Sequence, residues 1–208
     1  MIPQVQTTAE SYNQIAPYYV RIAGMQPDAR QSINRWIHCF LAHVPDIDLP
    51  ILDLGCGGGH DMEVLNSFGV PVVGMDLSSQ MLSCARQRLP NDTLIRMDAA
   101  SWGWKPHTFG GIWASGVLYH LPKHILPQVL ASIRKSLVPG GILYFNYLVG
   151  SGEGMDQPPS AKRGFPRYYA YYQPREIVRL LSGFRLLKLE PQLHDDFGAE
   201  VDHVLASI

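Results

Sequence analysis

The stretch "ILDLGCGGGHDMEVL", residues 51–65, sets an acid, Asp53, two positions ahead of a glycine run that carries Gly55, Gly57 and Gly59. An apolar run before the glycines and helical spacing after them make a strand–turn–helix junction, where α/β proteins hold nucleotides. Two phosphate-binding patterns fail here. A Walker A loop ends in Lys-Ser or Lys-Thr, and neither follows the glycines. The dinucleotide fingerprint G-x-G-x-x-G is met at Gly55 and Gly57 but has His60 in place of its third glycine. That fingerprint also seats a pyrophosphate on the helix amides, where Asp53 and Asp61 would repel it. An acid at the turn makes sense when the nucleotide is cationic. The competing reading is structural, with Asp53 capping the turn through local amides.

Two more carboxylates stand at comparable places. Asp76 ends the next apolar run, "VVGMD", about twenty residues past the loop, where a carboxylate accepts from both ribose hydroxyls. An acid ahead of the following helix is the alternative role. Asp98 ends a third run, in "IRMDAAS". Three acids at three successive strand ends would lie on one edge of a parallel sheet. His120, after a fourth run, is placed to act as a general base; the alternatives are capping local backbone or contacting the ligand. His124 follows at i+4, but Pro122 intervenes and no Glu accompanies the pair, so no metal site is expected.

The elements that must position these groups follow a regular order. "SYNQIAPYYVRI" is helical in part and interrupted at Pro17. "SINRWIHCFLAHV" puts Ile33, Trp36, Ile37, Phe40, Leu41 and Val44 at helical spacing, and Pro45 ends it. "ILDL" reads as a strand, and "DMEVLNSF" as a helix with Met62, Leu65 and Phe68 on one face, closed by Gly69. "PVVGMDLS" is a second strand. A helix over about residues 79–89 follows, with Met81, Leu82, Ala85 and Leu89 on one face and Ser78 or Ser79 as N-cap. "TLIRMD" and "GIWASGVLY" are strands three and four, "HILPQVLASIRKSL" a helix, "PGG" a turn and "ILYFNYLV" a fifth strand. Strands alternating with helices predict a parallel sheet covered on both faces. The Gly- and Pro-rich stretch after Gly150 reads as a long loop of the kind that acts as a lid. A helix, "PREIVRLLSG", and two strands, "FRLLKLE" and "VDHVLASI", close the chain, the strands pairing as an antiparallel hairpin at the sheet edge. One domain is expected: a helical cap over 1–48, a nucleotide-binding half over 50–149, a loop over 150–175, and a helix with a strand pair over 176–208.

The spacing Asp53, Gly55, Gly57, Gly59 resembles motif I of class I S-adenosylmethionine-dependent methyltransferases, whose ligand carries a sulfonium and an ammonium and no phosphate. The resemblance runs over residues 50–149 and weakly through the last strands. Pro139-Gly140-Gly141 is similar to the turn before that family's fifth strand. "GVLYHLPKH" and "SYNQIAPYY" resemble its small-molecule branch, the ubiquinone/menaquinone-biosynthesis-like "methyltransferase type 11" group. The resemblance implies an α/β, Rossmann-like three-layer sandwich with a mostly parallel seven-stranded sheet and an antiparallel last strand. It implies S-adenosyl-L-methionine as cofactor and S-adenosyl-L-homocysteine as product. It assigns cofactor contacts to Asp53, Gly55, Cys56, Gly57 and Gly59 at the loop, to Asp76, Leu77 and Met81 after strand two, to Asp98 and Ala99 at the adenine, and to Ser115. Tyr12 or Tyr19 would reach the ligand carboxylate from the entrance helix. One departure stands out: the family's Phe-Asp ahead of strand four is Phe109-Gly110-Gly111 here.

Composition trims the alternatives. A chain of 208 residues, 46% hydrophobic, is long enough for one sizeable core. Its 17 basic and 18 acidic residues leave a net charge of −1, without the basic surplus that a nucleic-acid binder needs. The Asn/Asp-Pro-Pro-aromatic tetrad of base-amine methylation is absent; strand four reads Trp113-Ala114-Ser115-Gly116. Cys39, Cys56 and Cys84 are odd in number and far apart, which predicts reduced thiols and a cytoplasmic setting. No run reaches membrane-spanning length and no signal peptide is recognisable. The expectation is methyl transfer to a small molecule, anionic or aromatic. Lys162, Arg163, Arg167 and Arg175 would supply the charge, and Tyr168, Tyr169, Tyr171 and Tyr172 an aromatic pocket; a solvated loop with an edge packed by tyrosines is the alternative. A cofactor-binding relative with other sulfonium chemistry or a regulatory role, an NAD-dependent oxidoreductase, and a tRNA-modifying methyltransferase remain the competing functions.

Overall fold

A computed structural model of the chain describes residues 2–23, 27–156, 165–192 and 200–208. Five parallel strands, β1 (Ile51–Leu54), β2 (Val72–Asp76), β3 (Thr93–Arg96), β4 (Phe109–Ala114) and β5 (Leu137–Val149), lie in the order β3-β2-β1-β4-β5. The helices between them are α3 (His60–Asn66), α4 (Ser79–Arg88) and α5 (Leu126–Ser136). Strand order reverses between β1 and β4, which opens a crevice at the carboxyl ends of β1, β2 and β4. The chain returns through α6 (Pro174–Leu180) to β8 (Arg185–Gln192) and β9 (Val201–Ser207). This last pair is antiparallel, and β9 runs antiparallel to β5, as the sequence predicts.

Alternation along the strands sorts side chains onto two faces. Leu52, Leu54, Ile112 and Leu143 pack with Val129, Leu130 and Ile133 of α5. Ile51, Trp113 and Tyr144 pack with Trp36, Ile37 and Phe40 of α2 (Pro27–Leu41) and with Met62 and Leu65 of α3. The missing acid before β4 has a steric reason. A Cβ at Gly111 would stand 2.5 Å from Cζ of Phe40, and one at Gly110 would stand 3.0 Å from the carbonyl of Asp46. The two glycines let α2 and the chain after it close onto the sheet.

Four expectations need correction. Among the described residues the sheet has nine strands, not seven, because the segment expected as a loop over 150–175 holds β6 (Glu153–Asp156) and β7 (Arg167–Tyr172), paired antiparallel. Leu148 of β5 pairs with Val201 of β9 and also with Tyr171 of β7, so β7 continues on the β4 side, beyond the end of that shorter strand. Gly and Pro disguised a hairpin whose strand signal lies in the tyrosines. Second, α1 (Pro3–Ala23) runs straight past Pro17. The lost hydrogen bond costs about 3 kcal/mol, and burial of Val5, Thr8, Ser11 and Ala16 offsets it. Third, Phe68 is 40% exposed, because α3 stops at Asn66 and the turn to Gly69 breaks the helical phase. Fourth, Pro139-Gly140-Gly141 is a bulge inside β5, where the pairing jumps from Phe109 with Leu137 to Gly111 with Ile142. Among the described residues no helix is long and apolar enough to cross a membrane.

Candidate functional site

A cavity of about 500 Å³ opens at the carboxyl ends of β1, β2 and β4, roofed by α1. All thirteen residues assigned to the cofactor, apart from Gly59, line it, and so does His120. Gly59 is the αL residue that starts α3 and closes the turn behind the lining. The turn needs glycine at Gly55, where φ is +76° and a Cβ would stand 2.5 Å from Cβ of Val117.

The loop's amides are spent within the protein. Gly55 and Cys56 donate to the Met75 carbonyl (2.7 and 3.0 Å), Gly59 to the Cys56 carbonyl (2.9 Å), and Gly57 to Asp76 Oδ2 (2.9 Å). A loop wired this way offers few donors to a phosphate. Asp53 is 2% exposed, and its Oδ2 has no hydrogen-bond partner. Burial, with Asp61 and Asp76 nearby, pushes its carboxyl well above the usual carboxylate range. The capping role is therefore missing at Oδ2, and a buried acceptor is left facing the cavity. Such an atom costs free energy until a donor meets it.

Asp76 is braced by the Gly57 and Ser78 amides (2.9 and 2.8 Å), each on a different carboxylate oxygen. Burial raises its pKa, and those amides hold the rise back. Each oxygen keeps acceptor capacity for a diol. Asp98 Oδ1 accepts from the Ala100 amide (2.8 Å), fixing the carboxylate beside Ala99. Ser78 caps α4 by accepting from the Met81 amide (3.1 Å), which holds Leu77 and Met81 at the wall.

His120 sits on a short 3-10 turn, Leu118–His120, under α1 and β7. Its Nδ1 lies 2.6 Å from the Tyr168 carbonyl, which can only accept, so Nδ1 carries the proton. Nε2 then accepts from the Tyr12 hydroxyl at 3.0 Å. Burial, together with the positive Arg167, lowers the ring's pKa to about 4 against the pull of that carbonyl. A neutral imidazole with its lone pair engaged orients Tyr12; it is not a free base. Both ring nitrogens are committed and His124 is exposed, so the two histidines do not form a metal pair. Tyr19 stands edge-on to Tyr12, ring centres 5.4 Å apart.

The expected basic and aromatic loop divides. Lys162 and Arg163 lie outside the described residues, and Arg175 is exposed on α6. Tyr168 and Tyr172 are core residues, while Tyr169 and Tyr171 cluster with Tyr119 of the cavity wall. Arg167 is 4% exposed behind Tyr12, its guanidinium carbon 5.3 Å from that ring. Its Nε has no hydrogen-bond partner, and Nη1 donates to the Tyr12 hydroxyl at 3.4 Å.

Sequence reasoning missed Arg30, Asn146 and His203, which line the cavity together with Asp61. Asn146 accepts from the Gly116 amide (2.7 Å) and props the turn after β4; a lone Asn in the apolar run "ILYFNYLV" was its signal. His203, hydrogen-bonded to the Tyr144 hydroxyl at 2.6 Å, was likewise marked by polarity in an apolar strand. Arg30 had no local signal, because its meaning comes from α3, thirty residues later in the chain.

An acidic glycine turn, most of whose amides are bonded within the protein, thus stands at the switch point of this sheet. Residues 51–141 match the family described as a methyltransferase domain. The trans-aconitate 2-methyltransferase of Rhizobium meliloti is 37% identical over 121 residues, which are 57% of this chain and 44% of that protein. The chain thus spans under half the length of that relative. Among solved structures, the Burkholderia thailandensis 1,6-didemethyltoxoflavin-N1-methyltransferase, with 1,6-didemethyltoxoflavin and S-adenosylhomocysteine bound, superposes with TM-score 0.73 at 17% identity, over 100% of this chain and 90% of that one. The 4+2 cyclase SpnF superposes with TM-score 0.74 at 19% identity, over 99% and 97%. At these identities the two structures speak for the fold.

Proposed function

We propose that this protein binds S-adenosyl-L-methionine in the cavity and transfers its methyl group to a small anionic acceptor, releasing S-adenosyl-L-homocysteine. The observation that carries the cofactor half is Asp53: a buried carboxylate oxygen without a partner, beside a turn whose amides are already used. That donor set fits a cationic ligand and opposes a pyrophosphate. Asp53 faces the ammonium, Asp76 takes the ribose diol, and Asp98 with Ala99 takes the adenine edge. When bound, the cofactor supplies an electrophilic methyl on a good leaving group, so the chain's task is to exclude water and hold the acceptor in line.

Two observations support an anionic acceptor. Arg167 is a buried cation whose Nε has no hydrogen-bond partner, directly behind Tyr12. The trans-aconitate enzyme acts on a tricarboxylate, and a carboxylate nucleophile needs no base, which suits an engaged, neutral His120. The aromatic alternative draws on Tyr119 and Tyr169, stacked with ring centres 6.1 Å apart. Three free cysteines fit the expected cytoplasmic setting. Incubation with the cofactor and a panel of small carboxylates, trans-aconitate first, should release S-adenosylhomocysteine. Arg167→Met should raise the acceptor KM and spare cofactor binding; unchanged acceptor KM in that variant would refute the anionic reading. The second reading, cofactor binding with chemistry other than methyl transfer, is separated by product analysis.

A further inference from the structure

The cavity reaches past the strands that the cofactor reading uses. Its three acids stand at β1, β2 and just after β3, while Asn146 of β5 and His203 of β9 line the cavity on the far side of β4. With strands about 4.8 Å apart, β5 lies about 10 Å and β9 about 14 Å from β1. Asn146 and His203 are a cross-strand pair, so their side chains leave the same face of the sheet. Each spends one polar atom inside the protein. Asn146 Oδ1 accepts from the Gly116 amide (2.7 Å), which fixes the side-chain amide and leaves both Nδ2 hydrogens. His203 is 2% exposed and stacks on Trp36, ring centres 5.0 Å apart. Its Nδ1 lies 2.6 Å from the Tyr144 hydroxyl. Burial, with Asp61 nearby, keeps that phenol protonated, and a hydrogen bond from Ser115 meets its oxygen. The phenol proton therefore goes to Nδ1. Burial, with the positive Arg35, lowers the His203 pKa to about 4 against the pull of Glu190. The ring is neutral and carries its one proton on Nε2. Beside the pair, Leu148, Tyr169 and Val201 form an apolar cluster, and Val201 lines the cavity.

We infer, resting on the acceptor reading above, that Asn146 Nδ2 and His203 Nε2 are a pair of neutral N–H donors that seats a carboxylate of the acceptor. Arg167 supplies charge, which attracts without direction. The pair supplies direction, because a neutral donor holds an oxygen only close to the line of its N–H bond. Asn146 and His203 are then specificity-determining residues for the acceptor. Tyr144 and Ser115 are positioning groups, which fix the imidazole in the tautomer that donates.

Two variants that keep the internal bonds test the seat. Asn146→Asp retains the oxygen that holds the Gly116 amide and loses both donors. His203→Asn puts an amide oxygen near the place of Nδ1, where Tyr144 still meets an acceptor, and loses Nε2. S-Adenosylhomocysteine is titrated into each protein, and trans-aconitate is then titrated into the complex and assayed as acceptor. Both variants should bind S-adenosylhomocysteine as the wild type does, which also reports that they are folded. His203→Asn should weaken trans-aconitate and raise its KM by about threefold to tenfold, the range for a lost neutral hydrogen bond. Asn146→Asp should do so by more than about tenfold, because a carboxylate then faces a carboxylate. In both, kcat should stay within about threefold of the wild type. His203→Gln, whose amide nitrogen can stand in for Nε2, should recover part of the loss. Weakening of S-adenosylhomocysteine by the same factor would reduce the pair to braces for the turn after β4. An unchanged KM, or a fall in kcat alone, would overturn the seat. A wild type that binds S-adenosylhomocysteine and turns over no carboxylate of the panel would overturn the acceptor reading itself.

Discussion

Asp53 is a carboxylate kept at a cost, and that cost is measurable without any ligand. Its carboxyl is raised, so the folded chain holds this proton more tightly than the unfolded chain. The penalty is absent below the ordinary carboxylate pKa and grows as pH rises toward the folded value. Asp53→Asn should therefore stabilise the ligand-free protein at neutral pH, by about 1–3 kcal/mol, and weaken cofactor binding at the same time. Thermal melts with and without S-adenosylhomocysteine check both parts; a variant that melts lower without ligand would contradict the assignment. His120 makes a second residue-scale prediction. With its pKa lowered to about 4, the ring stays neutral above that pH. The pH profile of kcat/KM should show no inflection near 6.5 from this residue, and an inflection there that vanishes in His120→Gln would restore it as the base. The acids at 53, 76 and 98 were legible in the sequence because each falls within two residues of the carboxyl end of an apolar strand. The state of His120 was not, since Tyr12 and the Tyr168 carbonyl come from opposite ends of the chain.

At the scale of elements, α1 is strapped across the cavity at two points. The Asn13 side chain accepts from Ser78 Oγ (2.8 Å) and the Gln80 amide (3.1 Å) at the start of α4. On the other side, Ser11 donates to the Pro166 carbonyl (2.5 Å), and Thr8 accepts from the Tyr168 amide (2.9 Å). Two turns further along the helix, Val20 packs against the glycine loop, where a Cβ at Gly58 would meet its Cγ2 at 2.4 Å. Gly58→Ala should lift the helix and cost about 1–3 kcal/mol of stability, with weaker cofactor binding. Val20→Ala should restore much of both in the double variant, and additive losses would show that the strap and the loop are independent. The helix itself was legible, but its passage through Pro17 was not, because contacts with α4 and β7 decide it and local propensity opposes it. The β6–β7 hairpin was hidden for a similar reason, its strand residues being flanked by Gly and Pro.

For the whole molecule, the alternation of strands and helices was enough to predict a parallel Rossmann-like sheet with an antiparallel closing pair. It could not reveal how α2 seals one face. Phe40 occupies the space above Gly111, with its ring 5.4 Å from Trp113 and fully buried. Phe40→Ala should cost about 3–5 kcal/mol, read as a shift in denaturant midpoint at constant slope. A change under about 1 kcal/mol would mean that α2 packs on the sheet through other residues. That packing also carries Arg30 to the cavity, so the fold's stability and the cofactor site share one helix. The central claim is that an acidic glycine turn selects a cationic nucleoside over a pyrophosphate. Isothermal titration of the purified protein with S-adenosylhomocysteine, and in parallel with NADH, tests it most directly. The account predicts saturable binding of the first and none of the second; binding of NADH alone would contradict it.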